Sequence, residues 1–344
     1  MKFVCYSDWK QLPESADALF VLAEKDSIFY SRLWFESLAT TALDDDHTMV
    51  LACVVAGDSV LAILPLMQSA GNKTWYSLKH GFTPLYSLLL TDDDDQEQIL
   101  CCLSQALAQL PVNGLLLEPV AKDDSKINSL QRALEATGFY CNQMFRSYNW
   151  VCRLQGQSYK EYMLARPSKL RNTITRKKRK LEREHGFEIR LFTGDEVLQA
   201  MPDYYVVYNA SWKQNEIKNL DFQDCFVEKF SKAGWSRLAI LYIKGQPVAA
   251  QIWFVHYYKA SIFRLAYDKE WRQYSTGSIL TSFLMEYVID TDKVEEIDFL
   301  TGNDAYKQDW MSERRERILL SCVKNVNPVR WYQPFIELLK RILK

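Results

Sequence analysis

Phe263 to Met311 read FRLAYDKEWRQYSTGSILTSFLMEYVIDTDKVEEIDFLTGNDAYKQDWM. Ser261 to Tyr267 is apolar and aromatic enough for a strand, and Asp268 to Thr276 is polar enough for a loop. From Gly277 the apolar positions Ile279, Leu280, Phe283, Leu284 and Tyr287 follow helical spacing, so Gly277 is expected to open a helix. A second strand is expected around Asp298-Phe299, and after it an exposed Tyr306-Lys307 pair. A helix that starts straight after a Ser275-Thr276-Gly277 turn presents free backbone N–H groups at the positive end of its dipole. With no side chain on Gly277 to cover them, the N–H groups from Ser275 to Ser278 suit a phosphate or pyrophosphate.

Outward from this stretch the chain repeats itself. Val50 to Met67 (VLACVVAGDSVLAILPLM) and Leu238 to Val255 (LAILYIKGQPVAAQIWFV) each read as two apolar strands joined at a turn, Gly57-Asp58 in one and Gly245-Gln246 in the other. Aligning the glycines also aligns Val60 with Val248 and Ala62 with Ala250. Helical segments precede each hairpin, and a strand and a helix follow, the order of a mixed α/β sheet domain. The chain has 344 residues, 48% of them hydrophobic, which is enough for two cores rather than one.

Helices are expected at Ser31 to Thr41, Gln96 to Gln109 and Lys126 to Thr137, with a buried strand at Gly114 to Glu118. In the first half, Lys79 to Pro84 carries a proline and opens onto no clear anion-binding helix. Acidic runs at Asp44 to Asp46 and Asp92 to Asp95 lack the ligand spacing of a calcium loop and read as solvated. The eight cysteines show no CxxC spacing or disulfide framework, and the four histidines form no HExxH pattern, so no metal site is expected. No apolar run reaches transmembrane length, and the N-terminus lacks the features of a signal peptide, which points to the cytoplasm.

Arg166 to Arg183 concentrates nine Lys or Arg residues against Glu182, although the whole chain has a net charge of −1. Leu170, Ile174 and Leu181 supply a sparse apolar stripe, so this is a helix with a broad basic face, starting near Pro167 and Ser168. Its candidate partners are the phosphates of an acyl-CoA, a tRNA, and an anionic membrane or polymer surface. Residues 328–344 form a further amphipathic helix, suited to docking on the protein's own core or to peripheral contact with the inner membrane.

Taken together, Tyr267-Asp268, the Ser-Thr-Gly turn at 275–277, Asp298-Phe299 with Gly302, and Tyr306-Lys307 with Trp310 resemble the GNAT-type acyltransferase domain of FemAB-like proteins. Some of these are described as CelD-like, of the cellulose-biosynthesis type. Ser168, Arg171, Arg176 and Leu181-Glu182 match the same pattern, and the resemblance is best over residues 160–312. It implies a mixed α/β (α+β) fold of tandem GNAT-like domains: a degenerate one over 1–150, the acyltransferase domain over 151–327, and the terminal helix.

The function implied is transfer of an acyl group from acyl-CoA, acetyl-CoA foremost, to an amine or hydroxyl of a cell-envelope precursor, an exopolysaccharide unit or a lipid. Ser275, Thr276, Gly277 and Ser278 would hold the pyrophosphate, and the strand ending at Tyr267 the pantetheine arm. Asp268 and Asp298, at strand ends, are candidates for the proton acceptor, and Asp298 is equally suited to holding a loop. Lys307 would be a cationic clamp on phosphate or on the developing oxyanion. Arg171, Arg176, Tyr267 and Tyr306 would line the substrate cleft, while Lys177, Lys178 and Lys180 face solvent. Two departures from the family pattern are visible: the glycine of the phosphate loop comes one position late, and Tyr306 stands where relatives have Phe. Alternatives are a FemAB-type transferase using aminoacyl-tRNA, and a non-enzymatic RNA-binding or membrane-surface protein on an inactive GNAT fold. DNA is not an expected partner.

Overall fold

The computed structural model describes residues 1–43, 46–92, 95–211 and 220–324. From the N-terminus run β1 (Lys2–Tyr6), α1 (Ala16–Ala23), α2 (Arg32–Thr41), β2 (His47–Ala56), β3 (Ser59–Ser69), β4 (Thr74–Ser77) and β5 (Leu89–Leu90). Next come α3 (Gln96–Gln109), β6 (Gly114–Ala121), α4 (Ser125–Ala136), β7 (Phe139–Arg153), α5 (Tyr159–Leu164), α6 (Ser168–His185) and β8 (Glu188–Thr193). The remainder comprises α7 (Glu196–Ala210), α8 (Leu220–Lys232), β9 (Ser236–Ile243), β10 (Gln246–His256), β11 (Lys259–Tyr267), α9 (Thr276–Asp290), β12 (Glu296–Thr301), α10 (Lys307–Trp310) and β13 (Glu313–Lys324). The expected terminal helix over 328–344 lies outside the described residues, as do parts of both acidic runs.

The chain forms two compact units that are not contiguous halves. Residues 24–42 belong with 147–316 in unit 2, and 317–324 belong with 1–23 and 43–146 in unit 1. The physical reason for the first departure is aromatic. Trp34 of α2 is fully buried and packs edge-on or tilted against Phe222, Phe226 and Phe230 of α8, with ring centroids 5.0–6.4 Å apart. The reason for the second is register: β13 pairs antiparallel with β6 from Arg317 opposite Ala121 to Val323 opposite Gly114.

Both units are mixed sheets covered by helices. In unit 1 the hairpin β2–β3 pairs along its length, and the parallel neighbours β4 and β6 are joined through α3. Its core gathers Leu64, Leu66, Leu103, Leu117, Leu130 and their neighbours. In unit 2 the order is β7-β12-β11-β10-β9-β8, and the parallel pair is β11 and β12, joined through α9. Ile279, Leu280, Leu284, Met285 and Val288 of α9 are all buried in its core with Trp253 and Ile297, as the helical spacing requires.

Candidate functional site

Strand β11 pairs with β10 along its whole length, but with β12 only over Lys259–Ser261 opposite Glu296–Asp298. Beyond Ser261 the two parallel strands part, and among the described residues β12 does not pair with β11 from Ile262 onward. A strand edge without a neighbour offers a row of backbone donors and acceptors to an extended ligand. Past Tyr267 the chain makes a 3₁₀ helix over Lys269–Tyr274, where an open loop was expected, and then enters α9.

The start of α9 differs in detail from the expected Gly-opened helix. Ser275 is the N-cap, held in the left-handed region at φ 55°, Thr276 is the first helical residue and Gly277 the second. Gly277 is buried, and its missing side chain serves the interior: a Cβ there would stand 3.1 Å from the Tyr267 ring and 3.4 Å from Leu265. The glycine therefore lets α9 lie close against β11. The first turn contains no acidic residue, and Thr276 is fully buried with no partner for its hydroxyl among the described residues. Ser278 is half-buried.

Beneath this turn sits a polar group that the reading of the sequence missed. Gln251 of β10 is fully buried and donates to the Gly277 carbonyl at 3.0 Å and to the Thr281 hydroxyl at 2.8 Å, while its own carbonyl accepts from the Trp253 indole at 2.8 Å. Its signal was a single amide inside the apolar run Val248-Ala249-Ala250-Gln251-Ile252-Trp253. A buried amide with every bond made fixes the helix start rigidly on the sheet.

Where β12 ends, the backbone turns sharply, with Leu300 at φ 52° and Gly302 at φ 121°. Asp298 holds this turn, accepting from the Leu300 N–H at 2.6 Å and from the Asn149 side chain at 2.5 Å. Asn149 is a second missed residue, buried on β7. The expectation of an exposed Lys307 is corrected: it is 4% exposed. Its ammonium donates to the carbonyls of Phe299 (2.8 Å), Leu300 (3.4 Å) and Thr301 (2.8 Å), with Asp304 3.9 Å away. Lys307 thus ties together the carbonyls of the turn. Tyr306 beside it is exposed over part of its ring, and desolvation of its hydroxyl followed by the nearby Asp304 pushes that group up to about 12, above an ordinary tyrosine. Asp268 is half-buried and caps the 3₁₀ helix by accepting from the Glu270 N–H at 3.0 Å.

The basic helix α6 lies against α9 and the 3₁₀ helix, and it separates the two arginines expected together. Arg171 lines a pocket with Ser282 of α9, whereas Arg176 is exposed outside that pocket. The lysines also depart from expectation. Lys177 donates to the Gln273 carbonyl and Lys180 sits 5.0 Å over the Tyr274 ring, which leaves Lys178 exposed. Tyr274 is clamped further by Glu184 at 3.0 Å and His185 at 2.8 Å.

Residues 168–308 match the family model described as an acetyltransferase (GNAT) domain. No curated protein sequence matches the chain. Among solved structures, FemX superposes with a TM-score of 0.65 at 9% identity, covering 97% of this chain and all of that one. The L-PGS of Bacillus licheniformis gives 0.57 at 13% identity, covering 94% of each chain. A tandem GNAT protein from the clavulanic acid biosynthesis pathway gives 0.51 at 12% identity, covering 95% and 99%. At such identities the likeness is one of fold, and the fold is the tandem GNAT arrangement. The CelD-like subtype has no counterpart in these comparisons. Among the described residues no cluster of His, Cys, Asp or Glu could hold a metal ion, and no helix is long and apolar enough to cross a membrane.

Proposed function

We propose that unit 2 is an acyl-CoA-dependent acyltransferase. The observation that carries this reading is the parting of β11 from β12 after Ser261 and Asp298, in a strand that leads to the start of α9. The residues present fit the donor. A pantetheine arm pairs with β11 from Ile262 to Tyr267, and its pyrophosphate takes the N–H groups of Thr276, Gly277 and Ser278. The absence of an acidic side chain in that turn, together with the unpartnered Thr276 hydroxyl, supports an anion there.

Bound acyl-CoA supplies a thioester carbonyl. The chain's own part is to hold it against a nucleophilic amine or hydroxyl, which removes much of the entropic barrier. Tyr306 has its proton at neutral pH and serves as a donor toward developing negative charge. Asp298 and Lys307 act as positioning residues for the turn at 299–302, through the bonds described above. The acceptor class we favour is an amine or hydroxyl of an envelope precursor, exopolysaccharide unit or lipid, and the site we favour is cytoplasmic.

The test is Ser278→Asp. A carboxylate in the first turn favours the helix dipole, so the fold is kept, while the same charge repels a pyrophosphate. Calorimetric titration with acetyl-CoA is expected to show binding to the wild type and at least a tenfold loss in the variant at unchanged melting temperature. Absence of binding to the wild type, or equal binding to both, would overturn the reading. A second donor, aminoacyl-tRNA, is favoured by one observation: Arg176, Lys178 and Arg179 of α6 are exposed together. Salt-dependent binding of tRNA, lost when these three are neutralised, would select it.

A further inference from the structure

Apart from the donor site, unit 2 contains a pocket of about 350 Å³ between α5, α6 and the second turn of α9. Tyr159, Met163, Leu164 and Ile174 give it apolar walls, and Lys160, Arg171, Thr175 and Ser282 complete it. Its size is at the lower end of small-molecule sites. Most of its polar atoms are already satisfied. The Tyr159 hydroxyl and the Ser282 hydroxyl bond each other at 2.5 Å, and the Thr175 hydroxyl donates to the Arg171 carbonyl at 3.0 Å.

Arg171 is the exception, since its Nε is buried and has no hydrogen-bond partner among the described residues. Arg171 also lines the pocket, where a guanidinium gives charge-assisted bonds to a carboxylate or phosphate. At the lip, Leu164 is 61% exposed, and Lys160 is exposed too. The combination is an aliphatic wall with a cation on either flank.

We propose that this pocket binds the aliphatic chain of an anionic amphiphile, with the chain against Met163, Leu164 and Ile174 and the anionic group, carboxylate or phosphate, held by Arg171 and Lys160. The ligand's two halves match the two kinds of lining: a chain buries the apolar wall, and its anionic group takes charge-assisted bonds from the cations. From α9 the pocket takes Ser282, one turn beyond Ser278. It gives the protein a means of responding to lipid or fatty acid, whichever presents that chemistry.

The probe is monomeric dodecanoate, titrated calorimetrically into the full chain, with dodecyltrimethylammonium as a control of equal chain length and opposite charge. Saturable one-to-one binding of dodecanoate alone is expected. Arg171→Met, which keeps length and removes charge, should weaken it at least tenfold. Thr175→Trp changes an exposed wall residue, keeps the fold by its melting curve, and should fill the pocket and abolish binding. Neutralising Lys178 and Arg179, which are exposed on the same helix and outside the pocket, should change affinity less than twofold. The proposal is overturned if the wild type shows no saturable binding, if Thr175→Trp retains full affinity, or if loss of Lys178 and Arg179 matters as much as loss of Arg171. Flotation with phosphatidylglycerol vesicles then identifies the source: capture that Thr175→Trp abolishes means a bilayer lipid, and no capture alongside dodecanoate binding means a free amphiphile.

Discussion

Among the described residues each unit contains a parallel strand pair joined through a helix, and the two pairs end differently. In unit 2, β11 and β12 part after three paired positions, and the chain moves through one 3₁₀ helix straight into α9. In unit 1, β4 and β6 also pair over three positions, Thr74 opposite Gly114 to Tyr76 opposite Leu116. There the space beyond is taken by the protein itself. The Ser77 hydroxyl donates to the Glu118 carbonyl at 2.6 Å, the Tyr86 N–H to the Pro119 carbonyl at 2.8 Å, and Leu78, Tyr86, Leu88, Leu89 and Leu90 are buried. The helix that follows, α3, has Glu97 in its first turn and Asp95 as N-cap, a sign of charge that disfavours an anionic ligand. One framework thus carries two parallel pairs of equal length with different surroundings beyond them. The difference rests on the segment after the fourth strand and on the charge of one helical turn.

Four substitutions put that contrast to the test. The largest effect is expected from Lys307→Ala, which strips the donor from the carbonyls of residues 299 to 301 and should destabilise unit 2 by on the order of 3 kcal/mol. Chemical denaturation measures it. A variant of wild-type stability would show that the turn holds without its lysine. Gly277→Val comes next. Its side chain must displace the Tyr267 ring, for about 2 kcal/mol of stability, and should also weaken acetyl-CoA binding by shifting the start of α9. Unchanged stability with lost binding would instead place the added group on the ligand side.

In unit 1, Ser77→Ala removes a buried hydroxyl that accepts from the Glu118 N–H and donates to the Glu118 carbonyl, for about 1 kcal/mol, with no effect on acetyl-CoA affinity. A change in affinity would mean that the sealed edge takes part in binding. The smallest effect is expected for Asp268→Asn. Asparagine also caps well, so stability should change by under about 0.5 kcal/mol. A large loss of turnover at that stability would restore Asp268 as a proton acceptor.

The main elements were legible because their periodicity is strong. The hairpins at Gly57 and Gly245, the helix from 96 to 109 and the basic helix after Pro167 form as their apolar spacing requires. What periodicity cannot show is which way an isolated polar residue points. Lys307 lies in a Gly- and Asn-containing segment that reads as exposed, and it is buried because three carbonyls of a left-handed turn converge on it. Gln251 and Asn149 were missed for the opposite reason: each is a single amide inside a strand, and its partner, Gly277 or Asp298, lies far along the chain. The glycine at 277 was singled out for a ligand, whereas the close neighbour that the fold gives it is the ring of Tyr267.

The docking of Trp34 among Phe222, Phe226 and Phe230 has a consequence for how this protein must be made. The tryptophan leaves the ribosome nearly two hundred residues before its pocket does, and unit 1 likewise waits for Arg317 to Val323 to complete the pairing with β6. Neither unit can close during synthesis of its own half, since contacts of such long sequence separation form late and slowly. A truncation at the apparent midpoint therefore leaves two fragments, each lacking a piece of its own interior.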